Sequence, residues 1–143
     1  MPRIVIEQPS EADIDAIHAI LAKTYWSPGI PRETVARACA NSMCAIARDD
    51  EGKLIGFARV VTDRATFAWL CDVIVAPGRQ GKGLGRALVR TFLDHPELQG
   101  LRRWLLGTKD AHGVYAALGF APIEEPQRLM HIKRAAPYGL ATS

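Results

Sequence analysis

Val73–Val89 reads VIVAPGRQGKGLGRALV, an apolar run that breaks at a proline and a glycine-rich loop before helical spacing begins. Val73, Ile74 and Val75 close a strand-like stretch that starts at Phe67. Leu84, Leu88, Val89 and Phe92 share one side of a helix over Gly83 to His95, which Pro96 stops. Between strand and helix, Gly81, Gly83 and Gly85 stand at alternate positions. Residues without a Cβ let the backbone bend tightly and bring its N–H groups close to a ligand. At a helix start those N–H groups have no intrahelical partner, and the helix dipole adds a positive end. The loop is therefore shaped to hold an anion, and a phosphate above all.

A mononucleotide P-loop, G-x-x-x-x-G-K-[ST], is excluded: Gly78 and Gly83 are followed by Leu84 and Gly85, which supply neither the lysine nor the hydroxyl. A dinucleotide fingerprint, G-x-G-x-x-G, fails at its third glycine, where Arg86 stands, and no suitable acidic residue ends a later strand. The pattern Q-x-x-G-x-G is matched by Gln80, Gly83 and Gly85. With the strand and V-x-P before it, this segment resembles the acetyl-coenzyme A motif of the GNAT superfamily of N-acetyltransferases. YAALGF, Tyr115–Phe120, is similar to that family's Y-x-x-x-G-F near the C-terminus.

The resemblance implies an α/β fold of GNAT type, with a mixed, mainly antiparallel sheet, helices on both faces and splayed central strands. It implies acetyl-CoA as co-substrate, its pyrophosphate held by the loop from Gln80 through Gly81, Lys82, Gly83, Leu84 and Gly85 to Arg86. The pantetheine arm would pair with the backbone of Val73, Ile74 and Val75, where a bulge parts two strands. Many members place an asparagine seven residues before the tyrosine; Thr108 stands there in this chain and offers a shorter contact. Lys82 and Arg86 either add charge-assisted bonds to phosphate oxygens or lie solvated on the helix surface.

Acyl transfer from a thioester to an amine has three needs: a deprotonated amine, a donor for the tetrahedral oxyanion and a proton for the departing thiolate. By resemblance Tyr115 supplies the last; the alternative is a ring that only fills the core. Asp72 is the single charge in the strand Phe67–Val75. It is either a general base or the structural partner of an arginine such as Arg59 or Arg64. Asp110 and His112, in KDAH, are weaker base candidates, because both could cap a short helix.

The family draws its acceptor residues from the loop between the first two helices and from the splayed strands, here Tyr25, Trp26, Phe67 and Trp69. Aromatic walls suit an amine with an apolar or aromatic body, small molecule or protein, unless these rings are ordinary core. The rival function is a non-catalytic acyl-CoA-binding or regulatory module on the same fold.

Outward from the loop, the pattern predicts eleven elements in the order βααβββαβαββ. Arg3–Glu7 is a first strand, Ser10 with Asp13 caps a helix ending near Thr24, and Pro31 opens a second helix through Ala40. Met43–Arg48 and Leu54–Val61 form a hairpin, and Phe67–Val75 is apolar enough for a strand covered on both faces. Arg102–Leu106 is a further strand and Asp110–Leu118 a short helix closed by Gly119. Strands around Phe120–Ile123 and Leu129–Lys133 finish the sheet.

The whole 143 residues are expected to form one domain, with 48% hydrophobic and 23% charged residues, as in ordinary globular proteins. A net charge of +3 is too small to argue for nucleic acid and is compatible with an anionic ligand. Cys39, Cys44 and Cys71 form no C-x-x-C pair and sit beside no histidine at ligand spacing, so free thiols and no metal are expected. MPRIVIEQPS reaches charged and turn residues too soon for a signal peptide, and no apolar run approaches the ~18 residues of a membrane helix. A cytoplasmic location is expected, with no membrane partner and with a homodimer allowed.

Overall fold

The structure is a computed structural model that describes residues 2–139. Five strands form one sheet in the order β1 (Arg3–Ile6), β2 (Met43–Arg48), β3 (Leu54–Thr62), β4 (Phe67–Val75), β5 (Arg103–Leu105). The first three pairings are antiparallel and β4–β5 is parallel. Helices α1 (Glu11–Leu21) and α2 (Arg32–Ala40) cover one face, where Ile14, Ile17, Val35 and Cys39 meet Cys44, Ile46 and Phe57. Helix α3 (Leu84–Leu93) covers the other, setting Leu88, Val89 and Phe92 against Ala45, Ala47, Ala58 and Val60. Strand residues thus alternate between two separate cores, as the period-2 geometry of a strand covered on both faces requires. Gly56 lets α3 approach closely: a Cβ there would come within 3.2 Å of Leu84 and Leu88.

Ser10 caps α1 as its spacing with Asp13 predicts, the two exchanging backbone and side-chain bonds of 3.2 and 2.9 Å. Asp13 is also gripped by Arg48 through bonds of 2.9 and 2.8 Å, and Arg48 in turn holds Glu7. The guanidinium of Arg48, ahead of the opposing effect of burial, holds the Asp13 carboxyl below its ordinary range. This contribution to stability is therefore present above pH ~4 and is lost as the pH falls through the depressed pKa. Asp13→Asn should cost about 2 kcal/mol, since bonds to charged groups contribute about 1.5–3 kcal/mol each. Denaturant titrations of both proteins at neutral and acid pH would show the gap narrowing as the acid form is approached.

Four expectations are corrected. Phe120–Ile123 and Leu129–Lys133 form no strands. Pro122 and Pro126 remove ladder donors, and Pro126 opens a 3-10 turn, so Met130 and Ile132 are left 96% and 100% exposed. Strand β4 is not covered along its whole length. Ile74 joins the α1–α2 core, but Phe67 and Trp69 lie exposed on a stretch of that face the helices do not reach. The helix predicted over Asp110–Leu118 is the shorter α4 (His112–Ala116), closed by Gly119 at φ 103, and α1 stops at Leu21 rather than near Thr24. No helix among the described residues is long and apolar enough to cross a membrane.

Candidate active site

Strand β4 breaks its own alternation once. Opposite it on β3, Phe57 pairs with Ile74 and Arg59 with Cys71, so Asp72 and Val73 together face the single residue Ala58. This is a β-bulge, and Asp72 takes the left-handed φ of 52 that accommodates the extra residue. Before the bulge, Ala68 and Leu70 face α3; after it, Val73 packs on that core while Ile74 turns to α1 and α2. The predicted bulge is therefore present, at the residue singled out as the strand's lone charge.

The same strand parts from its other neighbour. β4 and β5 pair through Phe67, Ala68 and Trp69, after which β5 ends at Leu105 while β4 continues to Val75. From Leu70 onward the β5-facing edge of β4 has no strand partner among the described residues. Beside this opening lies a cavity of about 810 Å³, lined among others by Tyr25, Trp26, Trp69, Asp72, Thr108 and Tyr115.

At the end of β4 the chain enters the glycine loop. Gly78, Gly81 and Gly83 take φ of 85, 80 and 78, and Gly83 is the N-cap of α3 without any side-chain cap bond. The backbone N–H groups of 80–86 find no acceptor among the described residues, and all but Leu84 and Gly85 are exposed. Among the described residues Lys82 and Arg86 make no ion pair, whereas Arg79 reaches Asp49 at 3.4 Å. A row of free donors at a helix start, beside two cations without an ion pair to a described residue, supplies what the expected anion site needs. Gly85 lies on Val73 and Val75, with a built Cβ only 3.7 and 3.8 Å from their methyls, so the loop sits directly against the open strand.

Tyr115 projects from α4 into the same cavity, its ring edge-to-face with Phe120 at 5.9 Å and packed on the α3-side core. Its hydroxyl makes no hydrogen bond to a described residue. Burial first, and the phenol of Tyr25 second, push its pKa above the ordinary tyrosine range of ~10, so it keeps its proton.

Asp72 has the arginine partner that one of its two readings expects. Arg59 donates to it at 2.7 Å and also reaches Ser42 at 3.1 Å; Arg64 pairs elsewhere, with Glu97. The other Asp72 oxygen accepts from the Trp26 indole at 2.8 Å. Thr108 accepts from the Ala111 backbone at 3.0 Å and so shapes the turn into α4. Trp26, Tyr25 and Trp69 are brought to the cavity, but Phe67 is not among its lining residues. Asp110 lines it without an ion-pair partner among the described residues. Two contributors escaped prediction. Cys71 lines the cavity, and burial, against the pull of Arg59, pushes its thiol pKa up. Lys109 donates its backbone N–H to the Tyr25 hydroxyl at 3.1 Å and sets its ammonium 5.2 Å from the Tyr25 ring centre.

The profile of the Acetyltransferase (GNAT) family matches residues 14–120, a span that runs from α1 to the end of the YAALGF motif. The chain belongs to the GNAT family. It is 42% identical to a candidate GNAT acetyltransferase of Xanthomonas campestris pv. campestris, whose crystal structure superposes with a TM-score of 0.89 over 98% of this chain and 99% of that one. It is 29% identical over 129 residues to the candidate acetyltransferase FG08082 of Gibberella zeae, covering 75% of this chain and 72% of that one. The N-acetylglutamate synthase of Neisseria gonorrhoeae, solved with coenzyme A and N-acetyl-glutamate, shares the fold. Its TM-score is 0.70 at 23% identity, covering 86% of this chain and 29% of that one. The chain spans less than half the length of two soybean relatives named as acetyltransferases. As a GNAT protein it is a transferase of acetyl groups, on the mixed, mainly antiparallel sheet the family resemblance implied.

Proposed function

We propose that this GNAT protein moves an acetyl group from acetyl-CoA to a primary amine by direct attack. The observation that carries this reading is the succession of the free N–H groups of 80–86, the open β4 edge that Gly85 lies against, and the Tyr115-lined cavity beside that edge. A pyrophosphate suits the first, an extended amide-bearing arm suits the second as a strand substitute, and a thioester suits the third. The amine nitrogen bonds to the thioester carbonyl carbon, the carbon–sulfur bond breaks, and Tyr115 gives its proton to the sulfur. The amine's own excess proton goes to solvent, from which Tyr115 is recharged. Cys71 is disfavoured as a competing nucleophile, because partial burial pushes its thiol pKa up and so opposes thiolate formation.

Thiol release from acetyl-CoA should depend on added amine, with the acetylated amine identified by mass. Release at the same rate without amine would mean hydrolysis. No release with any of a broad panel of primary amines, small and peptide-borne, would remove the proposed reaction.

A further inference from the structure

Two consecutive residues of the loop between α1 and α2 bridge the gap between the parted strands, one to each lip. Trp26 donates its indole N–H to Asp72 on β4 at 2.8 Å. The Tyr25 hydroxyl accepts the backbone N–H of Lys109, which follows β5, at 3.1 Å. The two rings stand edge to face with centres 5.0 Å apart, so the pair forms one rigid cross-piece. Trp26 is 44% exposed and Trp69, on the same cavity, 48%. An indole that exposed is not fixed by packing alone; its bond to Asp72 fixes it.

The bulge makes that bond available. A regular β4 would send residue 72 to the α3 face with Ala68 and Leu70, whereas the left-handed Asp72 reaches Arg59 and Trp26 on the opposite side. Its side chain is only 10% exposed, and both carboxylate oxygens carry a donor. A carboxylate held this way is a fixed post for the indole.

We infer that Trp26, positioned by Asp72, is the specificity-determining wall of the acceptor site, and that the site takes primary amines carried on a flat aromatic body. The inference rests on the acetyl-transfer reading above. Trp26, Trp69 and Tyr25 offer the flat faces, and Asp72 and Arg59 beside them are engaged with each other, which leaves Lys109 and Asp110 as the cavity's remaining charged lining. Asp72 acts through Trp26, as a positioning residue.

The test compares phenylethylamine with ethylamine as acceptors for the wild type, Trp26→Phe, Asp72→Asn and the double variant. Trp26→Phe keeps a ring but loses the indole donor. Its KM should rise on the order of tenfold more for phenylethylamine than for ethylamine, the scale of one hydrogen bond to a charged group, with the loss in KM rather than kcat. Asp72→Asn should shift the same ratio, and the double variant should shift it no further. Equal KM changes for both amines, or additive effects, overturn the inference. So does an Asp72→Asn loss confined to kcat that shrinks at high pH, which would make Asp72 the base. Calorimetric binding of phenylethylamine to the same four proteins gives the comparison without turnover. If wild type acetylates neither amine but binds phenylethylamine in the Trp26-dependent way, the transfer reading fails while the wall stands; absence of such binding overturns the wall.

Discussion

Tyr115→Phe should lower turnover by about 10²- to 10⁴-fold while leaving acetyl-CoA affinity and melting temperature nearly unchanged. The ring, which packs on Phe120 and the α3-side core, is retained. The hydroxyl has no described partner to lose, so neither a buried acceptor nor a stabilising bond is left broken. What disappears is a proton held ready in the cavity. Because burial raises the phenol's pKa, the wild-type rate should rise with pH as the amine deprotonates and should fall only above pH ~10, where the phenol ionises. That falling limb should be missing in Tyr115→Phe. Near-normal turnover, or an unchanged limb, would mean that water protonates the thiolate and that Tyr115 is a packing residue.

Gly83→Val should weaken acetyl-CoA binding by at least about a hundredfold, or ~2.7 kcal/mol. Gly83 sits at φ 78, with nothing within 4 Å of a built Cβ. A valine there clashes with no protein atom; it stands among the free N–H groups where a pyrophosphate would lie. Left-handed backbone costs an L-residue about 1–2 kcal/mol, so some loss of stability accompanies the change. Gly100→Val separates the two effects, since Gly100 has φ 75 and equally open space but lies outside the loop and the cavity. Both variants should lose stability comparably, and only Gly83→Val should lose binding by calorimetry. Equal affinities would detach the loop from the coenzyme.

The loop was legible because its physics is local. Alternate glycines, a strand before and an amphipathic helix after need no distant partner to be read, and the Ser10–Asp13 capping box spans only three residues. The site's walls were legible in part. Tyr25, Trp26, Trp69 and Tyr115 could be named from the family motif and its neighbouring loop, but the tie from Tyr25 to Lys109 spans 84 residues and uses a backbone N–H, which carries no side-chain signature. The bulge at Asp72 is marked by no glycine, so its position follows from pairing with β3 rather than from β4's own sequence. The lone cation Arg59 in the apolar β3, set against the lone anion in β4, was the readable trace of that pairing. Leu129–Lys133 misled for the converse reason: its residues suit a strand, but a strand exists only with a ladder partner, and among the described residues none is offered.

The central claim, direct acetyl transfer to an amine, is tested most directly by quenching one reaction and weighing both products. The protein is mixed with excess acetyl-CoA, with and without phenylethylamine and a broader primary-amine panel, and the intact chain and the small molecules are measured by mass spectrometry. The account predicts an N-acetylated amine, an equal amount of free coenzyme A and a chain whose mass is unchanged in either mixture. An acetylated chain that forms without amine and discharges when amine is added would contradict direct attack, and acetyl-CoA that binds but yields no acetylated amine would contradict the transferase itself.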